Sequence, residues 1–131
     1  MKKSFKLCVV FVMVVFSLTL LSSAASAEGE WMVTKNTLNS AGRPTEDSVL
    51  IWNPSYSEGE TVEWFGGKKY NSLLGSFVAQ GEGRAIWYLN GVFEQSDEGN
   101  HFMGRRHGRI IQSFADGRTT VTYWNYGVKS N

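Results

Sequence analysis

Cysteine and proline are scarce in this sequence of 131 residues, which contains one cysteine and two prolines. A single cysteine cannot form a disulfide within the chain, and it excludes a metal site built from several thiolates. Glycine is common, with 14 residues, but it does not recur at every third position, and 42% of the residues are hydrophobic. This composition excludes collagen-like and disordered chains and predicts a folded domain.

Positive and negative side chains are almost equal in number. Thirteen Lys and Arg residues oppose twelve Asp and Glu residues, so the formal net charge is +1. Domains that bind nucleic acid usually present a strongly basic face. We therefore expect no nucleic-acid partner.

Residues 1–27 have the three parts of a secretory signal peptide. The chain begins with three lysines and no acid, continues in an almost unbroken apolar run over residues 7–21, and then reaches Ala25-Ser26-Ala27. This order is typical of export followed by cleavage after Ala27. The apolar run is shorter than the ~20 residues that cross a membrane. We expect a secreted or periplasmic protein that keeps no transmembrane segment and, because Cys8 is removed, no thiol.

The remaining chain, residues 28–131, has the pattern of short strands. Helical spacing of apolar residues is not sustained in any window, whereas runs rich in β-branched and aromatic residues recur between glycines. We predict a single all-β domain with strands at 30–35, 48–52, 60–65, 74–80, 84–89, 92–95, 109–114 and 118–126. Asn90-Gly91 and Asp116-Gly117 lie between strands and tolerate the positive φ of a two-residue type I′ hairpin.

Three units that begin and end with glycine follow one another along the chain, at 59–66, 81–91 and 108–117. Spacings in the twenties, with one hairpin per unit, are typical of arrays whose units bury apolar surface by stacking. Such a domain would consist of N-terminal strands and loops over 28–58 and of repeats over 59–131.

These units resemble the MORN repeat over residues 59–127. Tyr88-Leu89-Asn90-Gly91 is similar to the first half of one repeat, and Phe102–Gly108 is similar to its loop. Phe114-Ala115-Asp116-Gly117 then resembles the next turn, and the segment to Gly127 resembles the following strand and loop. The resemblance implies an antiparallel β-meander of hairpin repeats that associates with protein or lipid.

Two other arrangements stay open. About eight strands in ~100 residues also suit a small up-and-down β-barrel, which would hold a small ligand in an aromatic pocket. One unit of the Rhs/YD repeat is also similar to Gly108-Arg109 and Asp116-Gly117-Arg118-Thr119-Thr120, with Tyr123 and Gly127, although that fold is built from many units.

Basic side chains cluster at residues 105–109, and two lysines occupy the equivalent place one repeat earlier. If the repeats stack, these side chains lie along one edge, where arginine can bind an anionic group bidentately. Two tyrosines at predicted strand ends complete the candidate binding set, which is Lys68, Lys69, Tyr70, Arg105, Arg106, His107, Arg109 and Tyr126. We expect the replacement of both Arg105 and Arg106 by Ala to leave the fold intact.

Tryptophan and histidine offer further candidates. Trp64, Trp87 and Trp124 lie inside predicted strands, where a core role is favoured over stacking on sugar rings. His101 and His107 are the only histidines, and their spacing matches no metal motif. We expect both to be solvated loop residues and predict no metal site.

Recognisable catalytic motifs are lacking from the sequence, including the Gly-x-Ser-x-Gly elbow, the P-loop and His-Glu-x-x-His. The acid pairs Glu58/Glu60 and Glu60/Glu63 could in principle serve a glycosidase, but Glu60 and Glu63 point to opposite faces of a strand. The sequence favours an exported, non-catalytic binding or scaffolding module without a cofactor. Its β-repeat surface would act on a protein or cell-envelope partner.

Overall fold

The computed structural model describes residues 29–130, so the predicted signal peptide lies outside the described residues. A 3-10 turn, Lys35–Thr37, follows the first of eight strands. The strands are β1 (Glu30–Val33), β2 (Val49–Asn53), β3 (Glu60–Asn71), β4 (Ser76–Leu89), β5 (Val92–Phe102), β6 (Arg105–Phe114), β7 (Thr119–Asn125) and β8 (Val128–Ser130). The prediction of an all-β fold is confirmed. Within these residues the structure contains no helix with the length and apolar character that a membrane crossing requires.

All eight strands belong to one sheet. Strands β3 to β8 form an antiparallel meander in chain order, and β1 pairs antiparallel with β2. Because β3 lies along one edge of β4 for its whole length, β2 and β5 share the other edge. Strand β2 runs parallel to the start of β4, at Phe77 and Val78, and β5 pairs from Gly81 onward. The sheet therefore curls into a half-barrel, in which β1 and β8 are the two ends of the described strand order.

Strand β4 joins two predicted strands, 74–80 and 84–89, into one. Its register with β3 passes from Gly66↔Gly83 to Gly67↔Gln80, which leaves Gly81 and Glu82 as a bulge. Gly81 has a φ of 90°, a conformation that glycine adopts without steric cost. The glycines that we interpreted as strand boundaries therefore bend a continuous strand, as bulges commonly do.

The two predicted hairpins are present, but they differ in type. Leu89 pairs with Val92, and both Asn90 and Gly91 have positive φ, which confirms the type I′ turn. At the second site only Gly117 has positive φ, and the Phe114 N–H donates to the Arg118 carbonyl. That connection is a three-residue loop, so the prediction of a two-residue turn at Asp116-Gly117 is wrong.

Two further tight hairpins were not predicted. Met103-Gly104 joins β5 to β6, Tyr126-Gly127 joins β7 to β8, and all four residues have positive φ. Methionine and tyrosine rarely adopt this conformation, so residue type alone did not indicate these turns.

The hydrophobic core lies on the concave face of the half-barrel. It combines alternate side chains of β2, β3 and β4, namely Val49, Ile51, Val62, Trp64, Ala79, Ala85 and Trp87. Trp64 and Trp87 are each 3% exposed, which confirms their predicted core role. Trp124 is only half-buried.

Gly83 provides space for the Trp64 ring. A Cβ at this position would lie 2.4 Å from the ring and 2.7 Å from the Phe65 carbonyl oxygen. We expect Gly83→Ala to lower the free energy of unfolding by about 2 kcal/mol, because overpacking displaces neighbouring groups. Urea denaturation would measure the change, with Ser96→Ala on the adjacent strand β5 as the control. Equal stability of the two variants would contradict this prediction.

Candidate functional site

A buried carboxylate, Asp97, organises the polar part of the concave face. Its Oδ2 accepts hydrogen bonds from Trp87 Nε1 at 2.9 Å and from Nε and Nη2 of Arg106 at 2.9 and 2.5 Å. Its Oδ1 accepts hydrogen bonds from Gln95 Nε2 and Gln112 Nε2, each at 2.9 Å. We call these five residues the Asp97 cluster.

Strand geometry brings the Asp97 cluster together. Gln95 and Asp97 are alternate residues of β5, so their side chains share a face. Across the sheet, Asp97 pairs with Gln112 on β6. Strand β6 returns from the Met103-Gly104 turn and brings Arg106 within reach of the same carboxylate.

The charge of Asp97 is stabilised inside the fold. Burial alone would raise its pKa, but the Arg106 charge and the hydrogen bonds from Gln112, Arg106 and Gln95 outweigh this effect and lower the pKa below its usual value. The carboxylate is therefore ionised near neutral pH, and it can only accept hydrogen bonds. This property fixes the orientation of both amides, because each must direct its NH₂ group toward Asp97.

Arg106 does not belong to an exposed basic edge, so the prediction of its position is wrong. Its side chain is buried, and its guanidinium lies 5.3 Å from the Trp87 ring centroid and 4.8 Å from that of Trp124. The ion pair with Asp97 and the contacts with the two aromatic rings compensate for the hydration that the Arg106 guanidinium loses on burial. We therefore expect replacement of Arg106 to destabilise the fold, in contrast to the expectation from the sequence that loss of Arg105 and Arg106 leaves it intact.

An open groove of about 310 Å³ lies against this cluster on the concave face. The loop over residues 53–60 forms one wall. Other lining residues come from the strands, namely Trp87, Glu94, Gln95, Arg106, Gln112, Trp124 and Lys129. We call this cavity the concave groove.

Two carboxyl groups meet in the wall of the concave groove. Glu60 Oε1 accepts hydrogen bonds from Asn53 Nδ2 at 2.9 Å and from the Ser57 N–H at 2.7 Å. Burial raises the pKa of Glu94, and a hydrogen bond to Glu60 and the charge of that residue raise it further.

This acid pair is not one of the pairs that the sequence indicated. Glu63 lies on the opposite face of β3, where its Oε1 accepts a hydrogen bond from the Tyr88 hydroxyl at 2.8 Å. Glu60 and Glu94 both line the concave groove, where the charge of Glu60 contributes to the raised pKa of Glu94.

The remaining basic candidates lie outside the concave groove. Lys68, Lys69 and Tyr70 are exposed on the far half of β3, where Lys68 Nζ lies 4.3 Å from the Phe77 ring centroid. Arg109 is exposed on the outer face and pairs with Tyr123 across the sheet.

Three other candidates lie at the hairpin ends of β5–β8. The guanidinium of Arg105 covers Trp52, at 4.4 Å from its ring centroid. His107 stacks on Tyr126 with ring centroids 4.1 Å apart, and its Nδ1 accepts a hydrogen bond from the Tyr126 N–H. The structure therefore brings His107 and Tyr126 together, while Lys68 remains two strands away from this end of β6.

His101 is not a solvated loop residue, so that prediction is wrong. It is 1% exposed, its ring centroid lies 4.6 Å from that of Trp64, and neither ring nitrogen has a partner among residues 29–130. Burial and, next, the Arg106 charge lower its pKa to about 4. In the described part of the chain, three or more potential metal ligands do not come together at any place.

The Asp97 cluster was not predicted because the sixth predicted strand, 92–95, ended at Gln95. A usable signal was present, since Gln95, Asp97 and Gln112 occupy alternate positions that face one side of paired strands. Comparison of the chain with protein-family models, curated proteins and solved structures finds no match.

Proposed function

We propose that the protein is an exported, non-catalytic binding module whose ligand binds in the concave groove. One observation carries this proposal. Gln95, Arg106 and Gln112 each donate a hydrogen bond to Asp97, and this fixes the positions of these three side chains in the lining of the groove. A set of polar groups fixed before the ligand arrives lowers the entropic cost of binding. The partner would be a protein or a component of the cell envelope.

The exposed candidates Lys68, Lys69 and Tyr70 would have a secondary role in this proposal. They project from a region that lines no part of the concave groove, and Glu46 and Asp47 lie beside the adjoining start of β2. The mixed charge there gives no strong preference for an anionic partner. We also propose that β3–β8 are MORN-like repeats, for which the glycine-containing hairpins of this meander are the support.

Retention of envelope material on immobilised mature protein would test this function. We expect Lys129→Ala, which removes an exposed cation at the concave groove, to weaken retention several-fold, and Lys68→Ala, a matched cation on β3, to have little effect. Thermal melting would confirm that both variants fold. Loss of retention in Lys68→Ala alone would place the binding surface on β3 and contradict the proposal.

A further inference from the structure

We infer that the ligand of the concave groove is a neutral, hydroxyl-rich carbohydrate chain. This inference rests on the proposed function and names the chemical class of the ligand. Its support is the mixture of hydrogen-bond acceptors and donors that line the groove, together with a partly exposed tryptophan.

The acceptors come first from the two amides of the Asp97 cluster. Gln95 and Gln112 each donate Nε2 to Asp97, so each Oε1 is left to accept a hydrogen bond from another group. Within residues 29–130, no donor is bonded to either Oε1. The carboxyl groups of Glu60 and Glu94 add further acceptors on the facing wall.

The donors belong to two cations on the same groove. Arg106 uses Nε and Nη2 for Asp97, and its Nη1 has no partner among the described residues. The Lys129 ammonium forms no ion pair within residues 29–130 and lines the end of the groove next to Trp124. Donors and acceptors therefore line the same cavity.

This mixture of charges of both signs disfavours a ligand with a charge of either sign. Glu60 and Glu94 attract a cation but Lys129 repels it, the reverse holds for an anion, and the charge of Arg106 is already balanced by Asp97. A hydroxyl group both donates and accepts, so it can pair with either kind of side chain. A chain that carries many neutral hydroxyls satisfies the whole lining.

Trp124 supplies the apolar surface on which a sugar ring packs. Its Nε1 donates to Thr122 Oγ1 at 2.8 Å, and the Arg106 guanidinium covers one face of the ring. These contacts fix the ring, and its half-buried state leaves part of it open to the groove. Aromatic rings held in this way pack against the apolar C–H face of a sugar while their polar atoms stay satisfied.

Titration calorimetry of the mature protein with defined oligosaccharides would test this inference. The probes are neutral tetrasaccharides of glucose, mannose, galactose and N-acetylglucosamine, with tetragalacturonate as an anionic comparator and tetraglucosamine as a cationic one. We expect at least one neutral probe to bind more tightly than both charged probes, and with an affinity that salt does not change.

Point variants test whether the neutral probe binds in the concave groove. We expect Trp124→Ala and Lys129→Ala each to weaken binding of that probe about tenfold, whereas Tyr123→Ala, which removes an exposed ring from the opposite face of β7, leaves it unchanged. Unchanged binding in Lys129→Ala and Trp124→Ala would overturn the inference. If only a charged probe binds, or if retained envelope material is protein and its retention still depends on Lys129, the carbohydrate class is wrong while the proposed function stands.

Discussion

Replacement of Arg106 by methionine should lower the free energy of unfolding by about 3 to 5 kcal/mol. Methionine retains much of the side-chain volume between Trp87 and Trp124 but removes the cation that pairs with Asp97. The fully buried carboxylate would then lack its counter-ion and two of its five hydrogen bonds, and its remaining donors would be two neutral amides and an indole. Urea denaturation at pH 7 would measure the loss.

Two controls separate charge from packing in this experiment. Arg105→Met removes a neighbouring arginine that contacts Trp52 and forms no ion pair within residues 29–130, so we expect a loss below ~1 kcal/mol. Adding Asp97→Asn to Arg106→Met removes the unpaired charge, and the double variant should be more stable than the sum of the single losses predicts. If Arg105→Met and Arg106→Met lost equal stability, the Asp97 ion pair would not be a structural element.

Local sequence patterns were sufficient to predict the fold class and part of the core. Asn90-Gly91 has the conformational preference of a type I′ turn in its own two residues, and the β-branched and aromatic runs around it need no distant partner to be recognised. Trp64 and Trp87 were predicted as core residues because they lie inside predicted strands, where large aromatic side chains bury much apolar surface. Each of these features depends on neighbours in the chain.

The candidate site depends on contacts that no local pattern contains. Arg106 looked like part of a basic loop because Arg105, His107 and Arg109 surround it, and only the turn at Met103-Gly104 directs it to Asp97. Strand β5 was predicted too short because Asp97, Glu98 and Asn100 disfavour strands by propensity. Tertiary hydrogen bonds to Asp97 override that preference, and they join residues up to fifteen positions apart.

The parallel pairing of β2 with β4 also lay beyond prediction. It places Val49 next to Phe77, so that β2, which belongs to the segment that we assigned to N-terminal strands and loops, contributes side chains to the core. The core also contains a buried polar side chain that is unmatched, because His101 packs against the core tryptophan Trp64 without a hydrogen-bond partner in the described chain. That mismatch makes the stability of the fold depend on pH.

The sign of this dependence follows from the pKa of His101, which is about 4 in the folded protein and 6.5 as the ordinary value. Above pH 6.5 the imidazole is neutral in both states and has no effect on their balance. As the pH falls from 6.5 toward 4, the unfolded chain gains a proton that the folded protein does not accept, so unfolding becomes more favourable. The slope is ~1.4 kcal/mol per pH unit, and the total is about 3 kcal/mol.

His101→Leu should remove this acid sensitivity, because leucine fills a similar apolar site and does not titrate. Urea denaturation at pH 7, 6, 5 and 4.5 would compare it with the wild type and with His107→Leu, whose side chain stacks on Tyr126 near the surface. Asp97 has a lowered pKa, so the stability it contributes is lost only below this range, and Glu94 titrates equally in all three proteins. We expect the His101→Leu variant to become more stable relative to the wild type as the pH falls. If the free energies of unfolding of His101→Leu and the wild type changed equally with pH, His101 would accept a proton in the folded state as readily as in the unfolded chain, and the prediction would be wrong.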